Sequence, residues 1–259
     1  MRIDLWRKTK RTKKTMHKYL KGITLKDLLI FENDHYLVIN KPPYISTLDD
    51  RNDPVDILKL AKEHHADAQV CHRLDKETSG ALVIAKHQEA YRHFAIMLER
   101  RQVKKVYHAV VGGIHEFDNV SADQPIYSTN SKSRVDFREG KPSLTLISTL
   151  ETFKYHTLVK CFPVSGRLHQ IRVHLAFHKA PISCDPVYSG EYIYLSGIKK
   201  NFNLSRHTDE EKPILPRVAL HAHNIAFYDF DANEERTIEV EAPYPKDFGV
   251  LIKQLRKYL

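Results

Sequence analysis

Two dense polar clusters carry the side chains best suited to chemistry. In the first, residues 71–80, Arg73, Asp75 and Lys76 come directly before an apolar run, 80–85, that suits a buried strand. Polar groups at the entrance of a strand lie at the rim of a sheet, where they can face a ligand. The cations beside Asp75 favour its ionised form. Composition alone favours a plainer alternative, a turn whose aspartate caps local backbone amides.

The second cluster, residues 165–175, interleaves apolar and hydrogen-bonding side chains. A helix over 166–178 would bury its aliphatic side chains on one face and turn Arg167 and His169 elsewhere. Arg172, next to the buried face, is then placed to reach inward toward a carboxylate. By itself this pattern does not choose among functions.

A metal hydrolase is suggested by a histidine pair in the same region. His174 and His178 stand at i, i+4, with Cys184 and Asp185 nearby. The pair lacks the glutamate of the H-E-x-x-H motif, so we expect no metal site.

The pattern around these clusters predicts an α+β fold. Helices are predicted at 53–65, with Asp53 and Pro54 opening the helix, at 87–100, at 166–178 and from Phe248 to Leu259. Strands are predicted at 28–31, 36–39, 80–85, 106–111, 134–137, 144–150, 155–164, 219–227 and 236–240. Strands outnumber helices without alternating with them, which favours a mixed, largely antiparallel central sheet with flanking helices. The polar segment 188–216 is expected to be a surface insertion.

The net charge of +9 is concentrated at the N-terminus. Residues 1–21 hold nine basic residues and one acidic residue, which leaves 32 bases and 31 acids in the rest of the chain. A basic tail over 1–24 can bind phosphates through counterion release, and the alternative is a solvated segment with no partner. No apolar stretch of signal-peptide or transmembrane length is present. Three cysteines without C-x-x-C spacing fit a reducing compartment, so we expect a cytoplasmic protein without membrane attachment.

Five tracts in one order resemble the RluA family of RNA pseudouridine synthases. Residues 72–80 match H-R-L-D-x-x-T-S-G, and residues 166–175 match G-R-x-H-Q-I-R-x-H-L. Residues 105–107 resemble the family's K-x-Y tract, and further matches lie at 37–42 and 220–222. One departure is Tyr44, which stands where the family has glycine after K-P-x.

The resemblance implies a role for each matched position. Asp75 falls on the catalytic aspartate, Arg172 on the arginine that pairs with it, and Tyr107 on the tyrosine that lies against the target base. Arg73 falls on the arginine that helps to fill the gap left by a flipped nucleotide, and Leu220 on a small apolar position of the pocket. Other residues expected to contact RNA are Arg167, His169, Lys104 and Lys105.

The implied reaction breaks the bond from C1′ to N1 of uracil, turns the base and joins C1′ to C5. It requires no redox change and no group donor, so no cofactor is expected. A carboxylate suits it, because carboxylates act at sugar centres and leave again in glycosidases. A stacked base must first be extruded, which costs less in loops and bulges.

The expected partner is structured RNA, with large-subunit ribosomal RNA ahead of transfer RNA, and the expected protein is a monomer. A non-catalytic RNA-binding or ribosome-assembly factor on the same fold is the alternative. The expected organisation is the basic tail 1–24 followed by a catalytic domain over 25–259. The N-terminal S4 domain that many relatives carry is not expected.

Overall fold

The computed structural model describes residues 22–49, 55–203, 210–230 and 236–259. Within these residues ten strands form one sheet and two more form a small separate sheet. The basic segment 1–21 and the expected helix cap at Asp53 and Pro54 lie outside the described residues. The strands are β1 (Leu29–Glu32), β2 (Tyr36–Lys41), β3 (Gln69–Val70), β4 (Ser79–Ala85), β5 (Lys104–Gly112), β6 (Val120–Ala122), β7 (Ile126–Ser128), β8 (Ser133–Val135), β9 (Thr145–Thr152), β10 (His156–Pro163), β11 (Leu220–Tyr228) and β12 (Thr237–Glu241).

The large sheet runs β1-β2-β4-β11-β5-β10-β9-β6, with β3 beside β4 and β12 beside β11. Among the described strand pairs, only β4 and β11 are parallel. At this joint Gly80 has φ +120°, and a Cβ there would lie 2.1 Å from the carbonyl oxygen of Ala222. Only glycine permits that backbone angle and that approach. The joint fixes the start of β4 relative to β5, which carries Tyr107.

Helices cover both faces of the sheet. In the half that contains β2 and β4, α1 buries Ile57 and Leu60 on one face, and α2 buries Phe94 and Met97 on the other. The half that contains β5 and β10 packs against α3 and α5. No helix in the described ranges is long and apolar enough to cross a bilayer. The helices are α1 (Ile57–His64), α2 (Gln88–Glu99), α3 (Gln170–Phe177), α4 (Leu195–Ile198) and α5 (Lys246–Lys257), with single 3-10 turns at Lys26–Leu28 and Pro186–Tyr188.

Helix α3 begins later than the sequence pattern predicts. His169 is left-handed, with φ +54°, so regular helix starts only at Gln170. The Gln170 side chain holds the preceding loop, because its Oε1 accepts from the backbone N–H of Arg167 (3.0 Å) and from the Ser165 hydroxyl (2.8 Å). The polar residues of the second cluster therefore lie in a fixed loop, with Arg172 on the first turn of the helix.

The α+β prediction with a largely antiparallel sheet is confirmed. The segment 188–216 differs from a purely surface loop in its described parts, because Ile193, Ile198 and Leu215 are buried in the core around β5 and α5. Composition concealed this, since the three apolar residues are scattered among charged ones. Residues 204–209 lie outside the described residues.

Candidate active site

The guanidinium of Arg172 joins two carboxylates. Its Nε and Nη2 donate to Asp185 at 2.7 and 2.8 Å, and its Nη1 donates to Asp75 Oδ2 at 3.3 Å. Asp185 is fully buried, whereas the Asp75 side chain is 24% exposed. The predicted pairing of Asp75 with Arg172 therefore exists, but the arginine is held mainly by Asp185, in the two-bond geometry that favours arginine with a carboxylate.

A hydrogen-bond relay orients His169 toward Asp75. The Tyr188 hydroxyl accepts from the backbone N–H of Ser133 at 3.0 Å and lies 2.9 Å from His169 Nδ1. His169 Nε2 lies 3.7 Å from Asp75 Oδ2, so a ring hydrogen on Nε2 would face the carboxylate. Burial, more than the nearby charges, lowers the pKa of His169, which keeps the ring neutral at neutral pH. The Tyr188 ring also lies under the Arg172 guanidinium, 4.9 Å from its central carbon.

Two buried cations hold the turn that carries Asp75. Lys41 Nζ donates to the carbonyl oxygens of Pro42, Ile45 and Lys76 at 3.0, 3.0 and 3.2 Å. Burial lowers the pKa of Lys41 to about 7, and the three acceptors match the three donors of its ammonium form. Near the other end of the chain, Arg217 Nη1 donates to the Glu77 carbonyl oxygen at 3.1 Å.

Arg217 is itself fixed by the C-terminal helix. It is 1% exposed, and its Nε and Nη2 donate to Asp247 at 2.7 and 2.9 Å. The position of the Asp75 turn thus depends on residues more than 130 positions away in the sequence. Sequence reasoning assigned no role to Lys41 or Arg217, and it noted Asp185 only as a neighbour of a histidine pair.

Tyr44 adopts the backbone that explains the family's glycine. Its φ is +72°, a region that non-glycine residues enter at a cost of about 1 kcal/mol. Its backbone N–H donates to the Lys76 carbonyl oxygen at 2.7 Å, so the left-handed residue closes on the Asp75 turn. Where the family has glycine, this chain therefore places an aromatic residue in a left-handed backbone that closes on the Asp75 turn.

Tyr107 lies at the junction of two core clusters, the one beneath α1 and the one beneath α5. Burial, and then the charge of Asp75, raises the pKa of its phenol, so the hydroxyl stays protonated at neutral pH. Its hydroxyl makes no hydrogen bond to any residue of the described ranges. Such a ring can offer a face and a hydroxyl group to a ligand without carrying charge.

The residues expected to contact RNA do not share one surface. Arg73 and Arg167 are exposed near Asp75 and in the loop before α3, while Leu220 is buried in the core. Lys104 and Lys105 project to opposite faces of β5, because side chains alternate along a strand. Lys105 lies beside the 166–169 loop, with its Nζ 3.9 Å from the Cβ position of Gly166. Lys104 instead lines a groove on the other face of the sheet.

The histidine pair considered for a metal is engaged in hydrogen bonds. His174 meets the Thr145 hydroxyl through Nδ1 at 2.9 Å and the Gln124 carbonyl oxygen through Nε2 at 3.0 Å. His178 Nε2 meets the Gln124 side-chain oxygen at 3.2 Å. Within the described residues, a group with metal-ligand spacing lies at Glu32, His64 and His65. There the Lys86 ammonium already pairs with the carboxylate at 2.6 Å.

Solved structures identify the class of protein that has this fold. The chain is similar to human RNA pseudouridylate synthase domain containing 4, at 25% identity and a TM-score of 0.70, with 90% of this chain and 94% of that chain covered. It is also similar in fold to human RNA pseudouridylate synthase domain containing 1, at 23% identity and a TM-score of 0.64, with 87% and 86% covered. The fold is therefore that of pseudouridylate synthases.

Sequence comparisons identify the family. The model of the RNA pseudouridylate synthase family matches residues 35–177, and the chain belongs to this family. The RluA-type assignment made from the motifs is confirmed.

Named relatives are found among bacterial proteins. The chain is 31% identical to ribosomal large subunit pseudouridine synthase D of Neisseria meningitidis serogroup B, over 88% of this chain and 61% of that protein. It is 30% identical to ribosomal large subunit pseudouridine synthase C of Vibrio vulnificus, over 90% of this chain and 70% of that protein. The match therefore spans about three fifths of the first relative's length.

Proposed function

We propose that this protein is an RNA pseudouridine synthase that isomerises uridines in large-subunit ribosomal RNA. The observation that carries the proposal is the Asp75 carboxylate, partly exposed, touching Arg172 at 3.3 Å. Family membership supports the reaction, and the names of the relatives support ribosomal RNA ahead of transfer RNA. The same names give no support to a non-catalytic assembly factor.

In this proposal Asp75 is the carboxylate that acts on the extruded nucleotide, and Tyr107 lies against its uracil ring. Arg172 and His169 orient Asp75 through one of its oxygens. The neutral Tyr107 brings no competing charge to a reaction that moves a base between two atoms of the same sugar. Arg73, exposed two residues before Asp75, helps to fill the gap that the extruded nucleotide leaves.

The test is formation of pseudouridine by purified protein on transcribed large-subunit ribosomal RNA and transfer RNA, read by carbodiimide modification and primer extension. Asp75→Asn should abolish the product while the protein stays folded and bound to RNA. Asp67→Asn changes an exposed aspartate outside the site and should leave activity intact. Product formed by Asp75→Asn would refute the catalytic assignment, and product on transfer RNA alone would refute the proposed substrate.

A further inference from the structure

A groove of about 570 Å³ lies beside the candidate active site, on the other side of one loop. Residues 182–192 form this loop. Asp185 in its middle binds Arg172, whereas Ser183, Ser189 and Glu191 line the groove. We call this feature the tyrosine groove, and its defining residues are Tyr155, Tyr192, Tyr194 and Lys179. One loop therefore borders both the candidate active site and the groove.

Three tyrosine rings are exposed in the tyrosine groove. Tyr155 is 53% exposed, Tyr192 40% and Tyr194 38%. Several large aromatic side chains exposed together in one concave surface are typical of an interaction site. Ile193, which lies between Tyr192 and Tyr194, is buried in the core and anchors the segment that carries these two rings. An exposed aromatic ring has a broad apolar face that a flat partner can cover.

The backbone beneath the rings is fixed. The Ile193 carbonyl oxygen accepts from the Ile214 N–H at 2.8 Å, and the Glu191 carbonyl oxygen accepts from the Cys184 N–H at 2.8 Å. Neighbouring side chains of an extended segment point to opposite sides, so Tyr192 and Tyr194 project outward together. Rings on such a support lose little conformational freedom when a partner binds.

The charges around the tyrosine groove are mainly positive. Lys179 lines it, and Lys154 lies over the Tyr155 ring at 5.1 Å. Two more lysines, 199 and 200, follow directly after the groove residue Ile198 and are exposed. Two acids oppose these four lysines: Glu191, and Glu211, whose carboxylate accepts from the N–H of the groove residue Ser196 at 2.8 Å. Aromatic rings interleaved with lysines bind single-stranded nucleic acid, because every base has a face for stacking and every linkage has a phosphate. An apolar or acidic protein segment would use only half of these features.

We infer that the tyrosine groove binds the unpaired RNA segment next to the target uridine, with bases stacked on Tyr192, Tyr194 and Tyr155. This inference rests on the proposed function. Extrusion of one nucleotide leaves its neighbours without their stacking partner, so an enzyme gains from a stacking surface close to the pocket. The loop whose Asp185 binds Arg172 beside Asp75 also carries Tyr192, so the groove lies next to the candidate active site.

The test measures RNA binding in the Asp75→Asn background, where catalysis does not interfere. The probe is a fluorescein-labelled, mixed-sequence single-stranded RNA of about 12 nucleotides, within the range of known stacking sites. Tyr192→Ala and Tyr194→Ala should each raise Kd at least about fivefold, the lower end of the effect of losing one base–aromatic stack. Tyr192→Phe and Tyr194→Phe keep the ring and should bind as the parent does.

Phe137→Ala is the matched control. Phe137 is 73% exposed, contacts Phe177 and lies outside the tyrosine groove, so its loss should leave Kd unchanged. Thermal unfolding should show that each variant is folded at the temperature of the binding assay, because neither tyrosine belongs to the buried core. An unchanged Kd in both alanine variants would overturn the inference. A difference in oligomeric state between the parent and the alanine variants, measured by sedimentation, would also overturn the inference, because it would assign the groove to a second copy of the chain.

Pseudouridine formation, scored in parallel with Asp75 restored, separates this inference from the proposed function. Product that survives while the groove variants leave RNA binding unchanged would overturn only the groove. Absence of product from every RNA, with binding weakened by the alanine variants, would overturn only the enzymatic proposal. Cross-linking of a 4-thiouridine-substituted probe should label peptides that contain Tyr192 or Tyr194, and labelling confined to other peptides would also count against the groove.

Discussion

Arg172 provides a quantitative test of how the site is built, because its two carboxylate partners differ in burial. Asp185 accepts two short bonds from Arg172 and is fully buried, whereas Asp75 accepts one bond of 3.3 Å and is partly exposed. Removing one partner of a buried ion pair costs about 3 to 5 kcal/mol, because the other charge stays in a poorly solvating place. Losing a partly exposed, longer contact costs at most about 1 kcal/mol.

Asp185→Asn should therefore lower the free energy of unfolding by about 3 kcal/mol, at the lower end of that range because asparagine keeps one acceptor. Asp75→Asn should lower it by less than about 1 kcal/mol. In Asp185→Asn the guanidinium also turns toward its remaining carboxylate, Asp75, and displaces it. A displacement of about 1 Å in a catalytic group costs on the order of 10²-fold in rate.

Urea unfolding at pH 7, followed by fluorescence, measures the two free energies, and pseudouridine formation under single-turnover conditions measures the rate. The expected pattern is a stable, inactive Asp75→Asn and a destabilised, slow Asp185→Asn. Equal destabilisation by the two substitutions would refute the reasoning, since it would mean that Arg172 depends on Asp75 as much as on Asp185. Arg172→Lys should follow Asp185→Asn, because a lysine cannot make the paired bonds.

Three further predictions concern the surroundings of the site. Arg217→Lys cannot keep its carboxylate pair and the Glu77 carbonyl together, so kcat should fall at least about tenfold while KM stays constant; a change in KM alone would refute a positioning role. Gly80→Ala should cost more than about 3 kcal/mol in urea unfolding, because the new Cβ meets the Ala222 carbonyl oxygen, and near-parental stability would contradict that contact. Burial lowers the pKa of His221 to about 4, so the neutral ring contributes about 3 kcal/mol to the free energy of unfolding above pH 6.5, and this contribution is lost as the pH falls to 4. In urea unfolding between pH 6.5 and 4, the free energy of unfolding of His221→Gln should therefore fall less steeply than that of the parent.

The fold was predictable where periodicity and burial agree. Ser79–Ala85 is an apolar run and is buried at every position, as a central strand should be. The predicted strand over 134–137 instead ends at Val135, because the Asp136 carboxylate accepts from the N–H groups of Arg138 and Glu139 and starts a turn. A short carboxylate that bonds to the backbone two and three residues ahead competes with the sheet, and the pattern of apolar residues does not register it.

The sequence predicted the pair at the centre of the candidate site, Asp75 and Arg172, but not the residues that hold this pair in place. Asp75 and Arg172 lie in motifs whose resemblance to a family implies a role for each, whereas Lys41 lies in a matched tract without an implied role and Arg217 lies outside the matched tracts. Their burial follows only from the meeting of β2 and α5 with the Asp75 turn, which local patterns cannot reveal. The role of Asp185 was not predictable either, because its contact with Arg172 on α3 depends on how the loop over 182–192 packs against that helix.

The charges around Arg172 suggest why a second carboxylate is needed. Arg172 alone would bind Asp75 through both of its outer nitrogens and cover both carboxylate oxygens. Asp185 takes Nε and Nη2, so only Nη1 remains for Asp75. The contacts from Arg172 and His169 both meet Asp75 Oδ2, and Oδ1 accepts no hydrogen bond from the described residues. On the proposed function, Oδ1 is then the oxygen that stays available to the nucleotide, and Asp185 acts by preventing its own arginine from blocking the catalytic carboxylate.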